Sequence, residues 1–253
     1  MKKATQYILI ILSISCLTIA CKKKDNDVST IQKVSFPSIT GYGNTYQGKS
    51  LVSYYIGVDV TAQVVYFSYP VGKAPALNVS DITAYDSVTG TVPVTVEQNG
   101  NLNPNQPGLY IYQFSAKTKY GFASRVMYVI GVTDIDTGTD LSDTYTGVRG
   151  TDTMNVTVQK MANGIYLTFD AAITGPLSAA AAYFVQTDNT HIVFPAQLTN
   201  YDYQDQPFAN LGLLSATNGT VSTSGGKPVI QYTLNSPSDT LSINGQNVML
   251  TGQ

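Results

Sequence analysis

The amino-acid sequence predicts an all-β protein made of two β domains, and three observations predict it. Tyr, Thr, Ser, Asn, Val and Gly are abundant, while charged residues make up 12%, about half the usual share; β-branched and aromatic side chains suit half-buried pleated strands. Short alternating runs recur along the chain between clusters of Gly, Pro, Asn and Asp. No segment carries a stripe of apolar residues at helical spacing. A chain of 253 residues comfortably holds two domains of about 100 residues each.

Residues 1–20 stand apart. Lys2 and Lys3 precede Tyr7–Ala20, a run of 14 residues without a charge, whereas a membrane-spanning helix needs about 20. A charged start, a short apolar core and small residues at its end describe a secretory signal peptide. The stretch "LTIAC", residues 17–21, resembles the lipobox of bacterial lipoproteins. That resemblance implies cleavage after Ala20 and lipidation of Cys21, so that the membrane partner is reached through a lipid anchor. Buried acyl methylenes contribute about 0.8 kcal/mol each, so several chains hold a folded body on a membrane. Cys16 lies in the removed segment, which leaves no disulfide to expect. A single His makes a zinc site implausible, and no metal or other cofactor is expected.

Residues 21–30 read as the lipidated cysteine and a flexible, solvated tether. Within it "KKKDND", through Lys24, Asp25 and Asp27, resembles the acidic export signal that follows the cysteine in surface lipoproteins of Bacteroidetes. This implies an outer-membrane location facing the cell exterior; a periplasm-facing lipoprotein is the alternative. Loss of Lys2 and Lys3 makes the net charge of −2 more negative still. Such a body gains nothing from phosphate backbones, so no nucleic-acid partner is expected.

Residues 31–137 form the first expected domain. Its strand signals are "IQKVSF", "SLVSYYIGV", "QVVYFSYP", "SDITAYDSV", "VPVTVE", "GLYIYQFSAK" and "FASRVMYVIGV". Seven short antiparallel strands with loops at both ends suggest an immunoglobulin-like β-sandwich. The stretch at 107–132, "PGLYIYQFSAKTKYGFASRVMYVIGV", resembles the last hairpin of bacterial Ig-like domains. Gly108, Tyr110, Tyr112 and Phe114 carry the alternation, Gly121 the turn, and Val126, Val129 and Val132 the closing strand. Residues Lys117 to Lys119 stand where that family usually has an Asp.

The run "TDIDTGTDLSDTYTG" follows. Asp134, Asp136, Asp140 and Asp143 could in principle ligate calcium through their oxygens, but Gly138 sits one position early for an EF-hand and no Glu closes the loop. A hydrophilic linker is the better reading, with the boundary near residue 138. Residues 138–253 repeat the β pattern as "MNVTVQK", "GIYLTFD", "AAYFVQT", "HIVFPA", "LGLLSAT", "GTVSTS", "PVIQYTL", "DTLSING" and "NVMLTG". Asn163-Gly164 between alternating runs is a strong hairpin signal. Eight or nine meandering strands predict an antiparallel β-barrel-like domain, closed or open. "LSAAAAYF" can instead begin with a helical turn.

Signals for catalysis are weak. The one His, His191, opens an expected strand, and no G-x-S-x-G elbow is present. The acids fall mostly in linkers and turns, so no enzyme is expected. Binding is the stronger expectation. Residues 195–210, "PAQLTNYDYQDQPFAN", form a long segment without strand or helix pattern, a kind that is often functional. Its candidate ligand-binding residues are Tyr201, Asp202, Tyr203, Asp205 and Phe208, beside Gln204 and Gln206; Tyr42 and Tyr46, with Asn44, form a second group. Aromatic rings pack on sugar faces while amides and carboxylates meet hydroxyls. The plainer reading is that these tyrosines pack over domain ends with their hydroxyls in water, since 18 Tyr and no Trp make Tyr the ordinary aromatic of this chain. "DSV", "DTM" and "DTL" resemble the sites at which Bacteroidetes attach O-glycans, with Ser87, Thr153 and Thr240 as acceptors.

Taken whole, the chain resembles two-domain surface lipoproteins of gut Bacteroidetes, in which an N-terminal Ig-like domain precedes a C-terminal β domain of unknown function. The carriers are "LSDTYTG" at Leu141–Gly147 and the "G-x-Y" strand at Gly164–Tyr166. Many such proteins accompany starch-utilisation-system-type glycan importers. The resemblance implies an accessory, non-catalytic glycan-binding role beside outer-membrane importer components, with a polysaccharide ligand. A structural or protein-interaction lipoprotein, its Ig-like domain a spacer, is the alternative, and a barrel carrying a small apolar ligand a third.

Overall fold

The computed structural model of the protein describes residues 35–42, 44–46, 60–135, 140–173, 181–198, 213–236 and 244–253. Cys21 with the leader and tether, most of "IQKVSF", the expected strand at 50–58, most of "DTLSING", the turn at 177–180 and the boundary residue 138 lie outside them. Sixteen strands are found among the described residues, all in the unit Phe36–Gln253.

The first eight are β1 (Ser38–Gly41), β2 (Asn44–Tyr46), β3 (Val60–Tyr69), β4 (Thr83–Asp86), β5 (Gly90–Val92), β6 (Val94–Gln98), β7 (Gly108–Lys117) and β8 (Ala123–Val132). They make two four-stranded sheets, ordered β2-β1-β4-β5 and β3-β8-β7-β6. Ile39, Ala84 and Val92 of the first sheet, with Ile82 just before β4, share one core with Tyr112, Phe114, Val126, Tyr128 and Ile130 of the second, which makes this half a β-sandwich. The β7–β8 hairpin follows the sequence pattern closely. Its ladder runs from Gly108↔Val132 to Lys117↔Ala123, and Gly121 takes φ 94° in the turn, a conformation open to glycine at no steric cost.

Three details differ from the expectation. β3 runs parallel to β8, from Val60↔Ala123 to Tyr69↔Val132. The intervening strands β4 to β7 supply the long connection that parallel pairing requires. "VPVTVE" is divided at Pro93: β5 pairs with β4 in one sheet, and β6 with β7 in the other. Proline has no N–H for a ladder, so it suits the point where the chain changes sheets. The short strands β1 and β2 sit in "SITGYGNTY", whose glycines read as turn signals.

The remaining strands are β9 (Asp143–Arg149), β10 (Asp152–Ala162), β11 (Ile165–Thr168), β12 (Ala182–Gln186), β13 (Ile192–Leu198), β14 (Leu213–Ser224), β15 (Lys227–Asn235) and β16 (Asn247–Gly252). They close into an eight-stranded antiparallel barrel in sequence order, β9 pairing with both β10 and β16. Asp143–Gly147 therefore belongs to the barrel wall and not to the expected linker. Its polar residues misled the reading because they face outward; Tyr145 points in and is fully buried. Gly147 is small for a reason: a Cβ there would meet the Ile173 side chain and lie 2.9 Å from Val156 Cγ2. "LGLLSAT" and "GTVSTS" are one strand, β14, bulged between Thr217 and Thr220.

Alternation puts Tyr166, Phe184, Phe194 and Tyr232 inside the barrel. Their ring centroids follow one another at 5.3, 4.8 and 4.6 Å, pairs that contribute about 0.5–1.5 kcal/mol each beyond burial. After β11 the chain turns inward. Ala171, Ala172 and Ile173 join the barrel core, and Tyr232 Oη donates to the Ala171 carbonyl at 2.7 Å. These groups pack the described barrel interior with side chains.

The sandwich packs its β3-β8-β7-β6 sheet on the barrel wall. Leu109, Ile111 and Val129 meet Ile165 and Val185, so β7 is buried on both faces. A Cβ on Gly131 would lie 2.8 Å from Ile165 Cγ1, so only glycine lets the two walls approach this closely. Thr133 Oγ1 donates to the Gln186 carbonyl at 2.8 Å, Ser68 Oγ to the Asn163 carbonyl at 2.7 Å, and Asn163 Nδ2 to the Ile135 carbonyl at 2.9 Å.

Candidate functional site

Beside that contact the two walls part, leaving a cleft of ≈ 200 Å³. Ile111, Met127 and Leu167 give it an apolar floor, and Gln98, Gln113, Gln197, Arg125 and Tyr183 bring polar groups to it. Register explains the sandwich side: Gln98 pairs with Gln113, Gln113 with Met127, and Met127 with Val64. These neighbours form one cross-strand row on the outer face.

Two irregularities aim the polar groups. β6 shifts register between Val96 and Gln98. Consecutive strand residues normally point to opposite faces, but this bulge lets Glu97 and Gln98 both serve the outer face. Glu97 accepts a hydrogen bond from Arg125 Nη2 at 3.2 Å, and its Oε2 lies 2.8 Å from Arg125 Nε. Gln98 Nε2 donates to the Ala196 carbonyl of β13 at 2.9 Å.

The second irregularity is in the barrel. The β12–β13 ladder holds Val185↔Val193 and Gln186↔Ile192 and then stops, while β13 shifts register against β14 between Phe194 and Gln197. The Gln197 side chain takes over where the ladder ends. Its Oε1 accepts from the Tyr183 N–H at 2.7 Å, and its Nε2 donates to the Tyr183 carbonyl at 2.8 Å. A side-chain amide thus replaces a strand partner and widens the wall at this seam. Tyr183 is fixed from the other side by Tyr66, hydroxyl to hydroxyl at 3.1 Å. Burial, then the Tyr183 hydroxyl, hold the Tyr66 phenol far above its usual range.

Not all the amides are satisfied. Gln98 Oε1 is buried and has no partner among the described residues, and Gln113, 7% exposed, lines the cleft beside it. Buried polar groups are nearly always hydrogen-bonded, so an acceptor left open at a cleft suits a ligand with hydroxyls.

The site residues expected from sequence fall elsewhere. Tyr201, Asp202, Tyr203, Asp205 and Phe208 lie outside the described residues, as do Cys21 and the Tyr46 side chain. Tyr42 packs into the sandwich, edge-on to Phe67 at 5.0 Å, and its hydroxyl donates to the Pro75 carbonyl at 3.1 Å. Burial is the largest cause holding its phenol above the usual range. Ser87 and Thr153 are exposed, and Thr240 lies outside the described residues. Asp134 and Asp140 cap backbone turns at Val71 and Ser142, and no metal-ligand cluster occurs among the described residues.

His191 is exposed and bridges Thr220 just before β13. Asp188 Oδ2 lies 2.8 Å from its Nδ1, and Thr190 Oγ1 lies 2.9 Å from the same nitrogen. A catalytic relay needs its carboxylate and its nucleophile on opposite ring nitrogens; here both meet one. Burial alone would raise the Asp188 carboxyl, but donors from Thr190 and His191 outweigh it and bring it to about 2.

No protein-family model matches the chain, and no curated protein matches it. Among solved structures it is similar to a lipoprotein of Bacteroides thetaiotaomicron, at 15% identity over 74% of this chain and 95% of that one, with TM-score 0.33. It is also similar to a structure of ZmpB from Clostridium perfringens containing CBM51-2 in complex with GlcNAc and INT domains, at 16% identity over 77% of this chain and 31% of that one, with TM-score 0.24. Superpositions this loose assign this chain neither a fold nor a ligand.

Proposed function

We propose that the chain is a lipid-anchored, non-catalytic carbohydrate-binding protein and that the cleft between sandwich and barrel is its binding site. The observation that carries the reading is the pairing of Gln98 Oε1, buried and without a partner among the described residues, and the neighbouring Gln113 amide with the apolar floor of Ile111, Met127 and Leu167. A sugar offers both complements: hydroxyls that donate and accept, and an apolar ring face. Sites of this kind combine a mostly apolar lining with a few placed polar groups. The Cys21 lipobox and the following "KKKDND" support an anchor in the outer membrane facing outward, beside importer components.

The test is binding of the full chain to a panel of plant and host polysaccharides. At least one should bind in the micromolar-to-millimolar range, and Gln113→Leu should weaken that binding about tenfold or more, the worth of a hydrogen bond to a buried group. Loss on Tyr201→Ala/Tyr203→Ala with Gln113→Leu unaffected would move the site to the 195–210 segment. No binding across the panel would refute the reading.

A further inference from the structure

Building on that carbohydrate reading, we infer that the cleft takes a single neutral sugar unit and discriminates against anionic ones, and that Glu97 is the residue setting this choice. Arg125 is the one cation lining the cleft among the described residues, and an unpaired guanidinium there would favour a carboxylate or sulfate, which it binds in two-pronged fashion. Glu97 occupies that role already. It reaches both Nε and Nη2 of Arg125, at 2.8 and 3.2 Å, and the β6 bulge between Val96 and Gln98 holds it on this face. An arriving anion would meet attraction and repulsion from neighbouring groups at nearly the same place. Like charges brought together at a recognition surface suppress the wrong partner.

The rest of the polar lining points the same way. Gln63, Gln98, Gln113, Gln197 and Tyr183 carry no charge. Gln98 Oε1, buried and unpartnered, is an acceptor and suits a hydroxyl, while a carboxylate oxygen in its place would repel it. Amides and phenols answer hydroxyl groups without asking for a counter-charge. Size limits what enters. At ≈ 200 Å³ the cleft is smaller than the roughly 300–1,000 Å³ typical of drug-sized ligands. It fits one sugar ring, so the unit bound is a chain end or a side branch and not a stretch of chain interior.

The experiment compares hexoses with the matching hexuronic acids, each as short oligosaccharides: glucose with glucuronate, galactose with galacturonate, mannose with mannuronate. The full chain is titrated with each. The neutral member of at least one pair should bind with about a tenfold preference, and Glu97→Gln should reduce that preference about tenfold by gaining uronate affinity that falls with added salt. Glu97→Gln/Arg125→Gln removes both charges; it should not gain uronate affinity, and it separates a charge effect from a damaged fold. Equal binding of both members by the wild type, or an unchanged preference in Glu97→Gln, would overturn the inference. If that binding were still lost in Gln113→Leu, the carbohydrate site would stand. Absence of binding to every member would overturn both.

Discussion

The cleft wall of the barrel and its far wall are both rich in amides and hydroxyls, yet they use them differently. On the far wall, built from β14, β15, β16 and β9, Asn218 Nδ2 donates to Thr233 Oγ1 at 3.5 Å, and Thr233 Oγ1 donates to Asn247 Oδ1 at 2.8 Å. Gln253 Nε2 donates to Asn155 Oδ1 at 2.8 Å and to Thr146 Oγ1 at 3.2 Å. The groove there is the larger of the two, ≈ 520 Å³ against ≈ 200 Å³. Its polar groups answer one another and lie near water. In the cleft, Gln98 Oε1 is buried and unanswered among the described residues, a state that costs about 1–3 kcal/mol until something completes it, and the Gln113 amide lines the same space. Unmet hydrogen-bonding need, more than volume, marks the site.

The sharpest way to break this comparison is at the seam. Gln197 is 3% exposed and makes two bonds to the Tyr183 backbone. Gln197→Ala leaves that N–H and carbonyl without partners, so it should destabilise the protein by about 2–4 kcal/mol, read from denaturant midpoints. A loss below about 0.5 kcal/mol would show that water replaces the amide and that the seam is not held by it. Gln113→Leu should behave in the opposite way. It removes an amide for which no bond to a described residue is seen, so stability should stay within about 1 kcal/mol while carbohydrate binding falls. Loss of both stability and binding would make Gln113 structural.

The same residues explain what could be read in the sequence. β7 and β8 were legible because "LYIYQF" and "RVMYVIGV" alternate strongly and Gly121 marks the turn between them. Several barrel strands were legible for the same reason, "GIYLTFD" and "PVIQYTL" each showing one apolar face, whereas β9 was hidden in a polar run. The cleft was not. Its glutamines come from four separate strands, and two of them reach it through bulges at Val96/Gln98 and Phe194/Gln197. A bulge follows from pairing geometry and leaves no fixed residue pattern. One signal was present: Gln113 is the polar residue inside an otherwise apolar strand interior. The tyrosines at 42, 46, 201 and 203 are the louder sequence signal for a sugar site, because rings pack on sugar faces.

A third substitution separates an unanswered amide from a binding amide. Gln186 is 0% exposed, and neither side-chain polar atom has a partner among the described residues. Alternation places it with Phe184 on the inner face of β12, away from the cleft. Gln186→Met keeps the side chain long and unbranched, so it should stabilise by about 1 kcal/mol, or about 2–4 °C in Tm, with binding unchanged. Destabilisation of that size would reveal a buried water bound to the amide.

The smallest expected effect tests the far wall. Asn247→Ala takes the acceptor from Thr233 Oγ1, but both residues sit at the surface, where water can take its place. Stability should move by no more than about 0.5 kcal/mol, and affinity for any polysaccharide bound by the wild type should stay within about twofold. The null change is informative because the far groove is the roomier one. If Asn247→Ala weakened binding about tenfold while Gln113→Leu did not, the larger and self-satisfied groove would be the binding surface. Unmet hydrogen bonds would then have pointed to a flaw of the barrel seam and not to a ligand.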